Sequence, residues 1–198
     1  MTNSPGLYLA SASPRRAALL TQLGLSFTVL SADVPEILGA NEAPEHYSQR
    51  VATAKAQAGF TFLQANTEIS ANAVVLGADT EVVLAGRVFG KPVDLADAAE
   101  MLRSLSGRSH DVLSSVALIN ANQQEVVLQQ TKVHFKTLDD ADIKRYLASG
   151  EAMGKAGAYA IQGLAGAFVS HLEGSYTGVM GLPVFETAGL LRRFGIFV

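Results

Sequence analysis

Apolar positions along the chain fall into short continuous runs and helical stripes, divided by polar stretches that carry glycine or proline. Leu7 to Ala10 is an apolar run of strand length that leads directly into Ser11-Ala12-Ser13-Pro14-Arg15-Arg16 and a helical stripe through Leu19, Leu20 and Leu23. Ser13 suits the N-cap, with Pro14 at the first helical position and Gly24 as the C-terminal stop. Phe27 to Leu30 predicts a second strand. The polar loop from Asp33 to Asn41 contains Glu36, and Pro44 opens a long alanine-rich helix that includes Tyr47, Val51 and Lys55 and ends near Asn66.

Val74-Val75-Leu76 reads as a buried strand ending in Gly77-Ala78-Asp79-Thr80. The chain continues extended from Glu81 to Leu84, turns at Ala85-Gly86 and returns through Val88-Phe89 as a hairpin to Gly90-Lys91-Pro92. Asp94 or Asp97 caps a helix through Ala98, Met101, Leu102 and Leu105, stopped by Gly107. Two strands come next, Val112 to Ile119 and Val126 to Lys136, and then a short helix from Asp139 to Leu147. From Gly150 to Gly181 glycine is dense, which marks tight turns or close backbone approach. The last helix begins at Pro183, places Arg192 and Arg193 in its final turn and stops at Gly195. No repeat, low-complexity tract or long linker divides the chain, so one domain over residues 1–198 is expected. Its irregular alternation of strands and helices predicts a mixed sheet flanked by helices.

Composition narrows the picture. The 198 residues are 48% hydrophobic and 17% charged, enough to bury a core. With 15 Lys+Arg against 18 Asp+Glu the net charge is -3, which argues against a nucleic-acid surface. There is no cysteine, hence no disulfide, thiolate metal site or cysteine nucleophile. The N-terminus has neither the basic start nor the apolar run of a secretory signal, and no apolar stretch approaches the roughly 20 residues that span a bilayer. No membrane partner and a cytoplasmic location are expected.

Three groups could carry chemistry. At Ser11 to Arg16, free N–H groups of a helix start meet two hydroxyls and two guanidinium groups, a setting for phosphate or another anion; an ordinary capped helix with solvated arginines is the competing reading. Asp79, just past a buried run, could hold a hard cation or take a proton from water, or could be a turn aspartate capping its own backbone. Glu36 is its weaker partner, equally a solvated loop charge. Lys55, Lys91 and Lys155 could neutralise phosphate oxygens, although each taken alone reads as a surface lysine. Arg50 and Lys55 are five positions apart on one helix and need not face the same ligand. His46, His110, His134 and His171 show no metal-binding spacing and are read as structural or solvated. The chain also lacks a Walker loop, a dinucleotide fingerprint and a nucleophile elbow.

Taken together, Ser-x-Ser-Pro-Arg-Arg at 11–16, Gly-Ala-Asp-Thr at 77–80, Gly-Lys-Pro at 90–92 and Ser-Gly-x-x-His at 106–110 resemble the Maf family of nucleotide pyrophosphatases. Lys155-Ala156-Gly157-Ala158-Tyr159 with Ile161-Gln162-Gly163, and Gly174-Ser175-Tyr176 with Gly181-Leu182-Pro183, are similar to the same family, in the same order. The resemblance implies a cytoplasmic hydrolase that cuts a nucleoside triphosphate between the α- and β-phosphates with a divalent cation, Mg2+ or Mn2+. It implies an α/β fold of Maf/ITPase-like form: a central mixed β-sheet flanked by helices, with a substrate cleft. It makes Asp79 the proton acceptor and places Glu36, Lys55 and Lys91 where the family has charged residues needed for activity, with Asp79 and Glu36 as metal ligands. Ser11, Ser13, Arg16 and Lys155 become substrate-binding residues. A homodimer is what the family suggests.

Three positions separate branches of that family. Arg15, Thr80 and Gln162 resemble the branch acting on dTTP and UTP, whereas the 7-methyl-GTP branch carries an aromatic residue, a glutamine and a glutamate there. A neutral amide such as Gln162 both donates to and accepts from a pyrimidine edge. Gly154 and Thr177-Gly178 depart from the usual residues of the family. The expectation is a dTTP/UTP pyrophosphatase acting on normal or modified pyrimidine nucleotides. Competing expectations are a pyrophosphatase for 7-methyl-GTP or another purine nucleotide, a nucleotide-binding regulator of cell division or septum formation, and a binding module for some other small anion.

Overall fold

The computed structural model describes residues 6–66 and 72–198. The apolar runs become strands Leu7–Ala10 (β1), Phe27–Leu30 (β2), Val74–Leu84 (β3), Arg87–Phe89 (β4), Ser109–Ile119 (β5) and Gln124–Phe135 (β6), joined by Val169–Glu173 (β7). They form one mixed sheet in the order β2-β1-β3-β5-β6-β7, with β4 paired to β3 off that path. The β1 strand runs parallel to both β2 and β3, and the remaining pairings are antiparallel.

Helices Pro14–Gln22 (α1) and Val184–Arg193 (α6) cover one face, packing Leu19, Leu20, Leu190 and Leu191 on Leu9, Leu76 and Leu118. The long helix Pro44–Asn66 (α2) covers the other face with Ala52, Ala56, Phe60 and Leu63. Helices Leu95–Leu105 (α3) and Asp140–Ala148 (α4) build a separate apolar cluster around the far ends of the strands, with Leu102, Leu105, Ile143, Tyr146 and Phe168.

The structure corrects several expectations. Ser13 holds the N-cap position of α1, yet its side chain makes no capping bond. Instead, Ser11 Oγ accepts from Ser13 N at 3.2 Å. Asp79 is neither a turn residue nor at a strand end, because β3 runs unbroken from Val74 to Leu84. Asp94, not Asp97, caps α3. The glycine-rich segment holds more order than turns alone: two 3-10 turns at Ala156–Ala158 and Leu164–Phe168, strand β7, and the short helix Tyr176–Met180 (α5).

Two features of β3 shape the cleft. On one edge the strand pairs with β1 only as far as Gly77, opposite Ala10, and with β4 only from Val82, opposite Phe89. Residues 78–81 have no strand partner on that edge, while β5 continues along the other. The sheet therefore opens at Asp79, Thr80 and Glu81, where α1 also begins. The second feature is the closeness of α2. A Cβ on Gly77 would lie 2.2 Å from Ala52 O and 2.5 Å from Ala56 N. Only glycine lets the helix backbone settle this near the strand.

Candidate active site

Successive side chains of a strand point to opposite faces. Asp79 and Glu81 thus share the face under α2, while Thr80 faces α1. Both carboxylates are buried, at 4% and 7% exposure. Lys55 reaches down from α2, and its Nζ donates to Asp79 Oδ1 at 2.9 Å. The same ammonium meets Glu36 Oε1 at 2.6 Å, and Glu36 Oε2 accepts from Lys91 Nζ at 3.0 Å. Four alternating charges thereby tie β3, α2, the loop after β2 and the segment after β4. The other loop acid, Glu42, is turned onto Arg50 at 2.7 Å, so Arg50 and Lys55 do face different partners.

The carboxyls respond in opposite senses. Burial pushes Glu36 up, but the hydrogen bonds and charges of Lys55 and Lys91 prevail and hold it at about 2. Glu81 is raised to about 8, first by burial and then by the charges of Asp79 and Glu36, with Lys55 acting against them. Asp79 Oδ2 and Glu81 Oε2 have no hydrogen-bond partner among the described residues. Tyr47, packed beside them, is raised by its burial and then by the Glu81 and Asp79 charges.

The α1 side of the opening is cationic. Arg16 is buried, donating from Nε to Gly181 O at 2.9 Å, from Nη1 to Ser11 Oγ at 3.2 Å and from Nη2 to Thr80 Oγ1 at 3.3 Å. These partners are neutral oxygens; burial lowers the guanidinium pKa, and the charge of Asp79 opposes that. Arg15 Nε donates to Met180 O at 3.2 Å. The first turn of α1 has no acidic residue, so its free N–H groups and partial positive charge are left for an anion.

Gln162 lies at the rim on a turn that is held from both sides. Tyr146 Oη accepts from Ala160 N at 3.2 Å and donates to Glu151 Oε1 at 2.9 Å, and Glu151 Oε2 accepts from Leu164 N at 3.1 Å. Lys155 Nζ donates to the carbonyls of Glu151 and Met153. Behind the wall, His110 Nε2 is 2.9 Å from Tyr159 Oη.

The charged chain, the start of α1 and Gln162 border one cavity of about 730 Å³. Its walls contain every residue singled out from the sequence: Ser11, Ser13, Arg15, Arg16, Glu36, Lys55, Asp79, Thr80, Lys91, Lys155 and Gln162. The volume lies within the range of small-molecule sites. Lysine, arginine and carboxylate side chains line it together with Val112, Ala156, Tyr159, Val179 and Met180. A charged chain with a planar, partly apolar head fits such a cavity.

The family model for Maf-like proteins matches residues 6–194. The chain belongs to the Maf family. Three Maf relatives named dTTP/UTP pyrophosphatase come from Xanthomonas euvesicatoria pv. vesicatoria, Bordetella pertussis and Pseudoalteromonas atlantica. The first is 56% identical over 96% of this chain and 98% of its own, the second 50% over 98% and 95%, and the third 48% over 96% and 97%. Among solved structures, the Staphylococcus aureus Ham1 protein overlays with a TM-score of 0.42 at 15% identity, covering 66% of this chain and 71% of that one. That likeness is too distant for residues of one to be read from the other.

Among the polar wall residues of this Maf chain, Asp33, Tyr47, Glu81 and Tyr159 were outside the sequence-derived set. Tyr47 gave no local signal, and Tyr159 stood in a family motif without a role. Glu81 gave a local signal: two positions past Asp79 in an extended segment, it had to share the aspartate's face. The four-charge chain in this Maf cleft likewise needed the fold, since Glu36, Lys55, Asp79 and Lys91 come from four separate segments.

Proposed function

We propose that this chain hydrolyses dTTP and UTP to the nucleoside monophosphate and pyrophosphate. The observation that carries the reading is the make-up of one cavity, which brings cations and a lysine-held aspartate together with Gln162 and apolar side chains. Relatives at 48–56% identity over nearly the full length bear that activity as their name. Arg15, Thr80 and Gln162, the three positions that separate branches, all border the same cavity. The surroundings proposed for the reaction are cytoplasmic; among the described residues no helix is long and apolar enough to cross a membrane.

Binding and proton transfer fall to different residues. Arg16, the start of α1 and Lys91 hold the triphosphate oxygens, Lys91 being 60% exposed against 9% for Lys55. Lys55 fixes the Asp79 carboxylate by Oδ1, leaving Oδ2 to take a proton from the attacking water. Water adds to phosphorus as the bridging oxygen between the α- and β-phosphates leaves with pyrophosphate. Charge gathering on that oxygen is met by the fixed cations, which need no rearrangement in the reaction. Glu36 keeps Lys55 and Lys91 in place.

A divalent cation fits this reading, because Asp79 Oδ2 is a buried oxygen without a partner. When bound, such a cation supplies neutralisation of phosphate charge. Glu36 fits that task poorly, since each of its oxygens is on a lysine. Among the described residues no three His, Asp or Glu are grouped to hold a metal. Mg2+ does not require such a cage, as it is commonly held by one or two carboxylates plus substrate phosphates.

A product assay with dTTP and Mg2+ tests the function. Pyrophosphate and dTMP are expected, with UTP cleaved comparably and 7-methyl-GTP and ITP poorly. Orthophosphate with dTDP would refute the bond assignment, and a purine preference would refute the specificity.

A further inference from the structure

Glu81 has no task in the proposed hydrolysis, and its position is costly. It is 7% exposed, it borders the cleft, and its Oε2 has no hydrogen-bond partner among the described residues. Asp79, two residues earlier on the same face, is 4% exposed with Oδ2 in the same condition. Two adjacent buried carboxylates repel one another and have lost their hydration. The nearby cations do not relieve them fully. Lys55 is placed on Asp79 Oδ1 and Glu36, and Arg16 donates to Ser11, Thr80 and Gly181.

We infer that Asp79 and Glu81 together form a binding site for a divalent cation, with Glu81 as the second protein ligand in place of Glu36. Residues i and i+2 of a strand point to one face, so the two free oxygens open into the same side of the cleft. A small hard cation prefers such carboxylate oxygens and would offset both charges at once. The inference rests on reading the cleft as a triphosphate site, since phosphate oxygens would complete the coordination that two carboxylates leave open.

Titrating Mn2+ alone into the full chain and counting bound ion by electron paramagnetic resonance tests this. Wild type is expected to bind one Mn2+. Glu81→Gln should weaken binding at least tenfold, and Glu36→Gln should weaken it less. Because Glu81→Gln replaces a buried acid by a neutral amide of nearly the same volume, it should melt no lower than wild type without metal; Glu81→Met makes the same comparison if it does not fold. The inference is overturned if wild type binds no Mn2+, if the Glu81 variants bind it as wild type does, or if Glu36→Gln loses as much. Pyrophosphate release from dTTP, measured in parallel on wild type, separates the two claims. Release with Mn2+ affinity indifferent to Glu81 sinks the inference and leaves the function, whereas no release sinks the function even where Mn2+ binds.

Discussion

Lys55 enters the cleft from a stretch of α2 in which Ala52, Ala56 and Gly59 lie against the sheet, and it ends between Asp79 and Glu36. Its removal would leave Asp79, Glu36 and Glu81 facing one another without the cation that separates them. Breaking a buried pair costs about 3 kcal/mol or more when one charge is left unpaired. Lys55→Met is therefore expected to lower stability in urea by about that much and kcat/KM by on the order of a hundredfold. Glu36→Gln should be milder in stability, because the Glu36 side chain is 35% exposed and water screens its pairs. Equal urea midpoints for the two variants would contradict this ordering. In the sequence Lys55 of the alanine-rich helix was a candidate to neutralise phosphate oxygens, but taken alone it read as a surface lysine, and the resemblance gave it its weight. The resemblance put Glu36, and not Glu42, in the site; in the fold the two loop acids part, one pairing with Lys55 and the other with Arg50.

At the level of elements, the close approach of α2 to β3 decides how far Lys55 reaches. A methyl on Gly77 would meet Ala52 O at 2.2 Å and Ala56 N at 2.5 Å, both backbone atoms that cannot turn aside. Gly77→Ala is expected to push the helix outward, costing roughly 1–3 kcal/mol as overpacking does, and to separate Lys55 from Asp79. Activity should then fall more than thermal stability; a variant that melts lower yet retains wild-type kcat/KM would show that the spacing does not matter. Most elements were legible in the sequence, because β1, β2, α2 and α6 track apolar runs or stripes bounded by proline or glycine. The misplacement of Asp79 at a strand end has a physical cause. Gly77, Asp79 and Glu81 interrupt the apolar pattern on the one face where α2 and the cleft, rather than an apolar layer, meet the strand. β7 escaped because Val-Ser-His-Leu-Glu is a largely solvated edge strand, with little apolar pattern to reveal it.

For the whole molecule, a net charge of -3 coexists with a cleft that gathers Arg16, Lys55 and Lys91, so a polyanion can be held without a basic surface. The buried ionisable groups that support this cleft also set the acid limit of the fold. His110, behind Tyr159, is lowered to about 4, chiefly by burial, and stays neutral where the unfolded histidine, near 6.5, is already protonated. The unfolded chain then binds more protons, so stability falls as pH drops from about 6.5 to 4, by on the order of 3 kcal/mol for this group. Glu36, held at about 2, extends the loss: its contribution is present above about 4.5 and declines as pH falls toward 2. Glu81, raised to about 8, works in the opposite sense, its cost growing as pH rises from about 4.5 to 8. These windows overlap, so the slope for the intact protein alone assigns nothing. The difference between wild type and His110→Asn isolates one group. In urea titrations from pH 7 to 4, the variant should be less stable at pH 7, having lost buried packing against Phe135 and Tyr159. The gap between the two proteins should narrow on acidification, because only wild type must then bury a histidine that water would protonate. A gap that stays constant over that range would mean His110 titrates alike in both states, and that its burial is not what limits the fold in acid.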